Sequence, residues 1–211
     1  MPRNRQHIPR DERAAELLRA ATDVFVAKGY AAATMADISE AASVARANVY
    51  WYYSSKDDIF AAVMDRLYSA TVDDLTEGQS DLDAYARLTL GLKQLYPFRW
   101  LHLAMHERIP HSAAVQGVHE SFMSWIRQLV YEVVDGAGAD IDKSLLADVI
   151  VATFEGARAP TETRPANELI PFILELVIGP VPRDGRRREA PRHRDGDVTR
   201  AGRPPQRPQV R

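Results

Sequence analysis

The sequence predicts an all-α protein, and three observations carry that prediction. Apolar residues recur at helical spacing in one segment after another up to about residue 180. No stretch stands out with the strict apolar–polar alternation of a strand. Capping residues open several of these segments, and Gly or Pro closes several of them.

The first element is "DERAAELLRAATDVFVAKGY", in which Leu17, Leu18, Ala21, Val24 and Phe25 share one side. Lys28 places a cation in its last turn and Gly29 stops it. A short second helix starts at Thr34. In "TMAD" the Thr34 hydroxyl can accept from the Asp37 amide while the Asp37 carboxylate reaches back, a capping box. Ile38, Ala41 and Ala42 make its apolar side. "SVAR" breaks the pattern, and a third helix covers about Arg46 to Tyr53. A fourth opens with a second box, Ser55 and Asp58, and carries Ile59, Phe60, Val63, Met64, Leu67 and Val72.

After "EGQSDLD" the remaining segments also read as helices. "LDAYARLTLGLKQLY" ends before Pro97 and "FRWLHLAMHERI" before Pro110. "HSAAVQGVHESFMSWIRQLVYEVV" ends at the "DGAGAD" turn. "IDKSLLADVIVATFEGARA" and "PANELIPFILELVI" follow, and Pro171 is expected to kink the last helix or mark its first turn.

Composition narrows the function classes. The chain has 211 residues and no cysteine, which excludes disulfides and thiolate metal sites. No apolar run approaches a bilayer span, and "MPRNRQHIPRDER" has no apolar signal region, so a cytoplasmic protein without a membrane partner is expected. The net charge of -2 hides an asymmetry. "VPRDGRRREAPRHRDGDVTRAGRPPQRPQVR" is rich in Arg and Pro and nearly empty of large apolar residues, so it reads as a disordered, solvated tail. There is no nucleophile–base constellation, no phosphate loop and no carboxylate pair at a recognisable spacing, so an enzyme is not expected.

The segment "ARANVYWYYSSK" carries the strongest functional signal. Two short helices joined by a tight turn suggest a helix-turn-helix, whose second helix lies in the major groove of DNA. Four consecutive rings, Tyr50 to Tyr53, cannot all face one core at a hundred degrees per residue. With Val49 at the centre of the buried side, Tyr53 turns toward the same face, while Ala47, Asn48, Tyr50 and Trp51 project outward or sideways. Small Ala47 lets the backbone approach DNA, Asn48 can pair with adenine, and Arg46 can reach guanine or a phosphate. Tyr50 and Tyr52 offer hydroxyls to phosphates, and Lys56 offers a charge.

Residues 12–67 resemble the DNA-binding domain of TetR-type transcriptional regulators. The resemblance rests on "VFVAKGY", "TMADISEAASVA" and "VYWYYSSKDDIF", in order and at matching spacing. It implies an N-terminal helix-turn-helix domain followed by a helical ligand-binding and dimerisation domain. The partners implied are a palindromic double-stranded DNA operator, a small-molecule effector of unknown identity and a second copy of the chain. The implied action is that of a homodimeric repressor released by its effector; the alternatives are a ligand-independent regulator or activator, or a helical metal-binding protein or enzyme using the His102/His106 face. The expected DNA contacts are Thr34, Ala45, Arg46, Ala47, Asn48, Tyr50, Trp51, Tyr52 and Lys56. The expected organisation is a basic arm over 1–11, the helix-turn-helix domain over 12–56, the second domain over 57–180 and the tail over 181–211.

The chain departs from the family pattern at four places. Ser43 stands where the turn usually has glycine, so a left-handed backbone there would be strained. Ala45 replaces the usual hydroxyl cap of the third helix. Tyr52 and Tyr53 replace the usual histidine and phenylalanine, so the Tyr53 hydroxyl needs a partner or a route to solvent.

Large apolar and amphipathic residues later in the chain suggest a ligand pocket. Its expected lining is Trp100, His102, Met105, His106, Phe122, Trp125 and Phe154, with Arg99 or Arg158 at the edge to favour an anion. His102 and His106 share one helix face, and His111 and His119 follow. There is no HExxH pattern and no third ligand can be placed from sequence, so hydrogen-bonded histidines in a pocket wall are expected. No metal or cofactor is assigned. The last two helices offer Leu145, Val149 and Phe154 with small Ala147, Ala152 and Gly156, and a nearly all-apolar "ELIPFILELVI", as a dimer bundle requires.

Overall fold

The computed structural model describes residues 10–79, 81–156 and 164–179. Arg158, most of the N-terminal arm and the 181–211 tail lie outside the described residues. Among the described residues the elements are helical, from α1 (Arg10–Ala32) to α9 (Ala166–Ile178). No β-strand is formed among them.

α1 buries Leu17, Ala20, Ala21, Val24 and Phe25. Its backbone breaks at Gly29 (φ 73°, ψ 166°), a conformation that L side chains avoid. Lys28 then donates to Asp37 at 2.8 Å, fastening the end of α1 to the first turn of α2 (Met35–Ala41). The Thr34 box is complete: its hydroxyl accepts from Asp37 N–H at 3.1 Å and its own N–H donates to Asp37 Oδ2 at 2.9 Å. The Lys28 and Thr34 bonds together hold the Asp37 carboxyl down at about 2. The buried side of α2 is Met35, Ile38 and Ser39, whereas Ala41 faces solvent.

The turn into α3 (Arg46–Tyr52) closes through Ser43 N–H to Glu40 O and Val44 N–H to Ser39 O. Ser43 has φ 53°, the left-handed backbone that is strained for an L side chain, and it is the one non-glycine with positive φ among the described residues. Ala45 caps α3 without a side-chain bond. α4 (Lys56–Asp73) starts with Ser55 Oγ accepting from Asp58 N–H at 3.0 Å. The Asp58 carboxylate accepts from the Ser54 hydroxyl.

α4 continues into a π-turn at Asp74–Gly78. α5 (Ala84–Leu95) and α6 (Arg99–Arg108) are followed by short turns at Pro97 and Pro110. α7 (Ala113–Ala137) packs against α4, α5, α6 and α8 (Lys143–Gly156). α9 lies on α5 and α8. Pro171 lies inside α9 rather than in its first turn, so Asn167 O loses its helical donor. Gly91 lets α5 approach closely: a Cβ there would meet Leu75 at 2.8 Å.

One apolar core runs through the molecule, from Phe25 and Phe60 to Ile150 and Leu174. The outer face of α8 and α9 breaks the pattern. Leu145, Val149, Phe172, Leu176 and Val177 are exposed there, Leu176 at 73%. Among the described residues no helix is long and apolar enough to cross a membrane.

Candidate nucleic-acid interface and the interior behind it

α3 is two turns long and is held by one fully buried residue, Val49. Helical geometry then sends its neighbours outward. Ala45, Arg46, Ala47 and Asn48 are exposed, as are Tyr50 and Trp51, the latter at 63%. Thr34, at the start of α2, is exposed as well.

The rings around α3 are mutually braced. Arg46 donates to the Tyr50 hydroxyl at 3.2 Å. Trp51 stands edge-on to Tyr52 with centroids 4.7 Å apart, and the Arg10 guanidinium lies 4.7 Å over the Trp51 ring. Tyr52 is half-buried and borders a cleft with Asn48, Trp51, Arg13 and Leu17. Tyr53 is half-buried against the core, and that burial pushes its hydroxyl pKa up. Lys56 donates to Tyr30 O at 3.0 Å and Ala33 O at 3.1 Å, with its ammonium 4.2 Å over the Tyr30 ring. Two of its three N–H groups therefore face inward.

A polar junction joins this module to the helices behind it. Arg108, at the end of α6, grips Asp57 of α4 with two bonds of 3.0 and 2.9 Å. The Tyr30 hydroxyl donates to the same carboxylate. Burial opposes ionisation of Asp57, but the bonds from Arg108 and Tyr30 outweigh it and hold the carboxyl below its ordinary range. Burial, with the carboxylate beside it, drives the Tyr30 hydroxyl well above the usual phenol range.

Farther in, Tyr68, Leu92, Leu95 and Phe98 surround a small cavity together with Arg99, His102, Phe154 and Asn167. It offers about 50 Å³ to water-sized molecules. Asn167 Oδ1 is buried there without a hydrogen-bond partner among the described residues. The expected pocket residues thus divide. Arg99, His102 and Phe154 line the cavity. Met105 and Phe122 are buried behind it, Phe122 stacked on Tyr68 at 3.9 Å and Trp125 on Phe122 at 5.7 Å. Trp100 points outward, 48% exposed, with the Arg99 guanidinium 4.8 Å over its ring.

Beside the cavity, His106 and His119 converge with His102 on Glu155. Burial alone would raise the Glu155 carboxyl, but the bonds to His102, His106 and His119 hold it far below its ordinary range. Sequence spacing paired His102 with His106. The cluster is completed by His119 from α7 and Glu155 from α8, and no local pattern marked Glu155.

Residues 17–63 match the family model described as bacterial regulatory proteins, tetR family. The HTH-type transcriptional activator FasR of Mycolicibacterium smegmatis is 36% identical over 101 residues, 46% of this chain and 44% of that protein. An HTH-type transcriptional repressor of Mycobacterium tuberculosis is 40% identical over 58 residues, 28% of this chain and 31% of that protein. The chain thus spans less than half the length of these curated relatives. A solved transcriptional regulator from Rhodococcus sp. superposes with a TM-score of 0.66 over 80% of this chain and 99% of that one, at 20% identity, and so shares its fold. Residues 17–63 thus carry a segment similar to the tetR family of bacterial regulatory proteins, and the described helices share the fold of the Rhodococcus regulator.

Proposed function

We propose that this protein is a DNA-binding transcriptional regulator: a homodimeric repressor of a palindromic operator, released by a small-molecule effector. The observation that carries the reading is the outward face of α3, where Arg46, Asn48, Tyr50 and Trp51 are exposed around a fully buried Val49. Arg46 and Asn48 read base edges in the major groove. Ala45 and Ala47 allow close approach of the backbone. Thr34, Tyr50, Trp51 and Tyr52 grip the sugar–phosphate backbone, and Lys56 braces the entry to α4 while adding its charge.

The exposed apolar stripe on α8 and α9 supports dimerisation through these two helices. Ala152 and Gly156 continue the stripe and permit close helix approach. A two-fold axis there would present two α3 helices to successive major grooves, about 34–36 Å apart. The cavity beside α6 is the effector site of this reading. At about 50 Å³ it must widen to admit more than a few waters. Arg99 suits an anionic group, and Asn167 Oδ1 suits a donor. A shift of α6 would reach the DNA-binding module through Arg108 and Asp57.

The test is anisotropy titration with DNA from upstream of the chain's own gene. Specific binding is expected, and Arg46→Ala and Asn48→Ala should each weaken it by about 1–3 kcal/mol while leaving the thermal transition in place. Phe172→Glu should give a monomer in analytical ultracentrifugation and lose operator affinity. Binding no tighter than to random duplex would overturn the reading. Activation is the second reading, favoured by the relative named as an activator, and a reporter whose expression falls on deletion of the gene would select it.

A further inference from the structure

We propose that His102, His106, His119 and Glu155 form a binding site for one zinc-class divalent cation. The inference stands apart from the DNA-binding reading. It concerns the cluster between α6, α7 and α8 and not the α3 face, shares His102 with the neighbouring cavity, and is tested with metal alone.

The four ligand groups come from three helices. His102 and His106 lie one turn apart on α6, His119 on α7 and Glu155 on α8. One ligand atom from each lies within 4.8 Å of all the others. The closer contacts have a meaningful length. His102 Nε2 is 3.2 Å from His106 Nε2 and 3.2 Å from Glu155 Oε1, His119 Nε2 is 3.4 Å from the same oxygen, and His106 Nε2 is closer still, 2.8 Å from Glu155 Oε2. A tetrahedral cation with bonds of about 2.0–2.1 Å has ligand–ligand edges of about 3.3–3.4 Å. Small side-chain adjustments therefore place all four groups around one centre.

Hydrogen bonding alone fits this arrangement less well. If His102 and His106 both donate from Nε2 to Glu155, their N–H groups crowd each other at 3.2 Å. A cation accepts all the lone pairs at once. The surroundings also orient the ligands. The Tyr68 hydroxyl is 2.6 Å from His102 Nδ1 and can donate to Met105 Sδ at 3.7 Å. Its oxygen can then accept from Nδ1–H, the tautomer that turns the Nε2 lone pair toward the cluster. Stacking on Phe122 holds the Tyr68 ring in place. The side chains of His106 and His119 are 22% and 17% exposed, which leaves an entry path. Three imidazoles and one carboxylate suit zinc, cobalt or nickel rather than calcium or magnesium.

The test uses the untagged full chain, stripped with chelator and dialysed. Zinc titrated by calorimetry should bind at one ion per chain, and cobalt should give the visible absorption of a four-coordinate complex. His119→Gln and Glu155→Gln should each abolish stoichiometric binding while the helical circular dichroism persists. If Glu155→Gln does not fold, His119→Gln decides alone. Tyr68→Phe should keep one ion per chain but weaken its affinity roughly 10- to 100-fold, a loss that a merely structural ring would not produce. The exposed His111 supplies the control, and His111→Ala should bind as the parent does. Substoichiometric binding, octahedral cobalt spectra, or unchanged binding by His119→Gln would each overturn the proposal.

Discussion

The outward face of α3 and the histidine cluster behind α6 are built in opposite ways. On α3 one buried residue, Val49, anchors a helix whose other side chains are offered to solvent. In the cluster, side chains from α6, α7 and α8 turn inward onto one another, and His102 is buried. The first arrangement needs only two turns of helix and a fixed entry angle. The second needs three helices packed in register. A surface reader can therefore be specified by a dozen consecutive residues, whereas an internal site depends on the whole bundle.

The largest effect expected tests whether the two regions fold as one unit. Phe60 is fully buried near the start of α4 and meets Phe25 edge-to-face at 5.2 Å. Phe60→Ala should destabilise the protein by about 3–5 kcal/mol, read from chemical denaturation. A single transition followed alike by near- and far-ultraviolet signals would show that the α3 module and the bundle share one core. Two separated transitions would break the pairing and make the module an independent folding unit.

The contrast also explains what the sequence discloses. The outward set on α3 is legible because helical period acts over a few residues, and Val49 fixes its phase. The Thr34 box is legible for the same reason, since both partners lie within one turn. His102 and His106 pair visibly at i, i+4, but Glu155 joins them across 53 residues through the packing of α7 and α8. Trp100 shows the same limit from the other side. Its size suggested a pocket wall, yet two residues before His102 on a helix it faces away. At Ser43 the sequence left the turn geometry open, because a left-handed backbone strains an L side chain, and the structure nevertheless keeps that backbone at φ 53°.

A smaller effect tests communication between the two regions. Arg108→Met removes the two bonds to Asp57, and its stability loss should be a fraction of that for Phe60→Ala. The pH dependence carries the sign. The folded Asp57 carboxyl sits below its ordinary range, so its contribution is present above the ordinary carboxylate pKa. That contribution is lost as pH falls through the depressed folded value. Without Arg108 the folded carboxyl rises toward its unfolded value, so thermal unfolding scans should show a smaller loss of stability on acidification than in the parent. An unchanged acid profile would remove Asp57–Arg108 as the link between α6 and α4.

Next in size is the missing cap of α3. Ala45 has the extended backbone of a cap but makes no side-chain bond. Ala45→Ser should supply one and stabilise the protein by about 1 kcal/mol. The gain belongs to the module alone, so zinc affinity at the cluster should not change. A change there would show that the surface helix and the interior are coupled more tightly than their packing implies.

Ser43→Gly should have the smallest effect, because two terms oppose each other. A left-handed backbone disfavours an L side chain by about 1–2 kcal/mol, and glycine removes that strain at φ 53°. Glycine also loses about 0.5–1 kcal/mol more than alanine in conformational entropy on folding. Relief of strain wins by a narrow margin, so the transition midpoint should rise by no more than Ala45→Ser achieves. A fall would mean that the Ser43 backbone is held without strain by its bond to Glu40 O, and that the departure from glycine has been absorbed by the turn. With both substitutions together the gains should fall short of additive, since they act on one turn two residues apart and set the entry angle of the same helix.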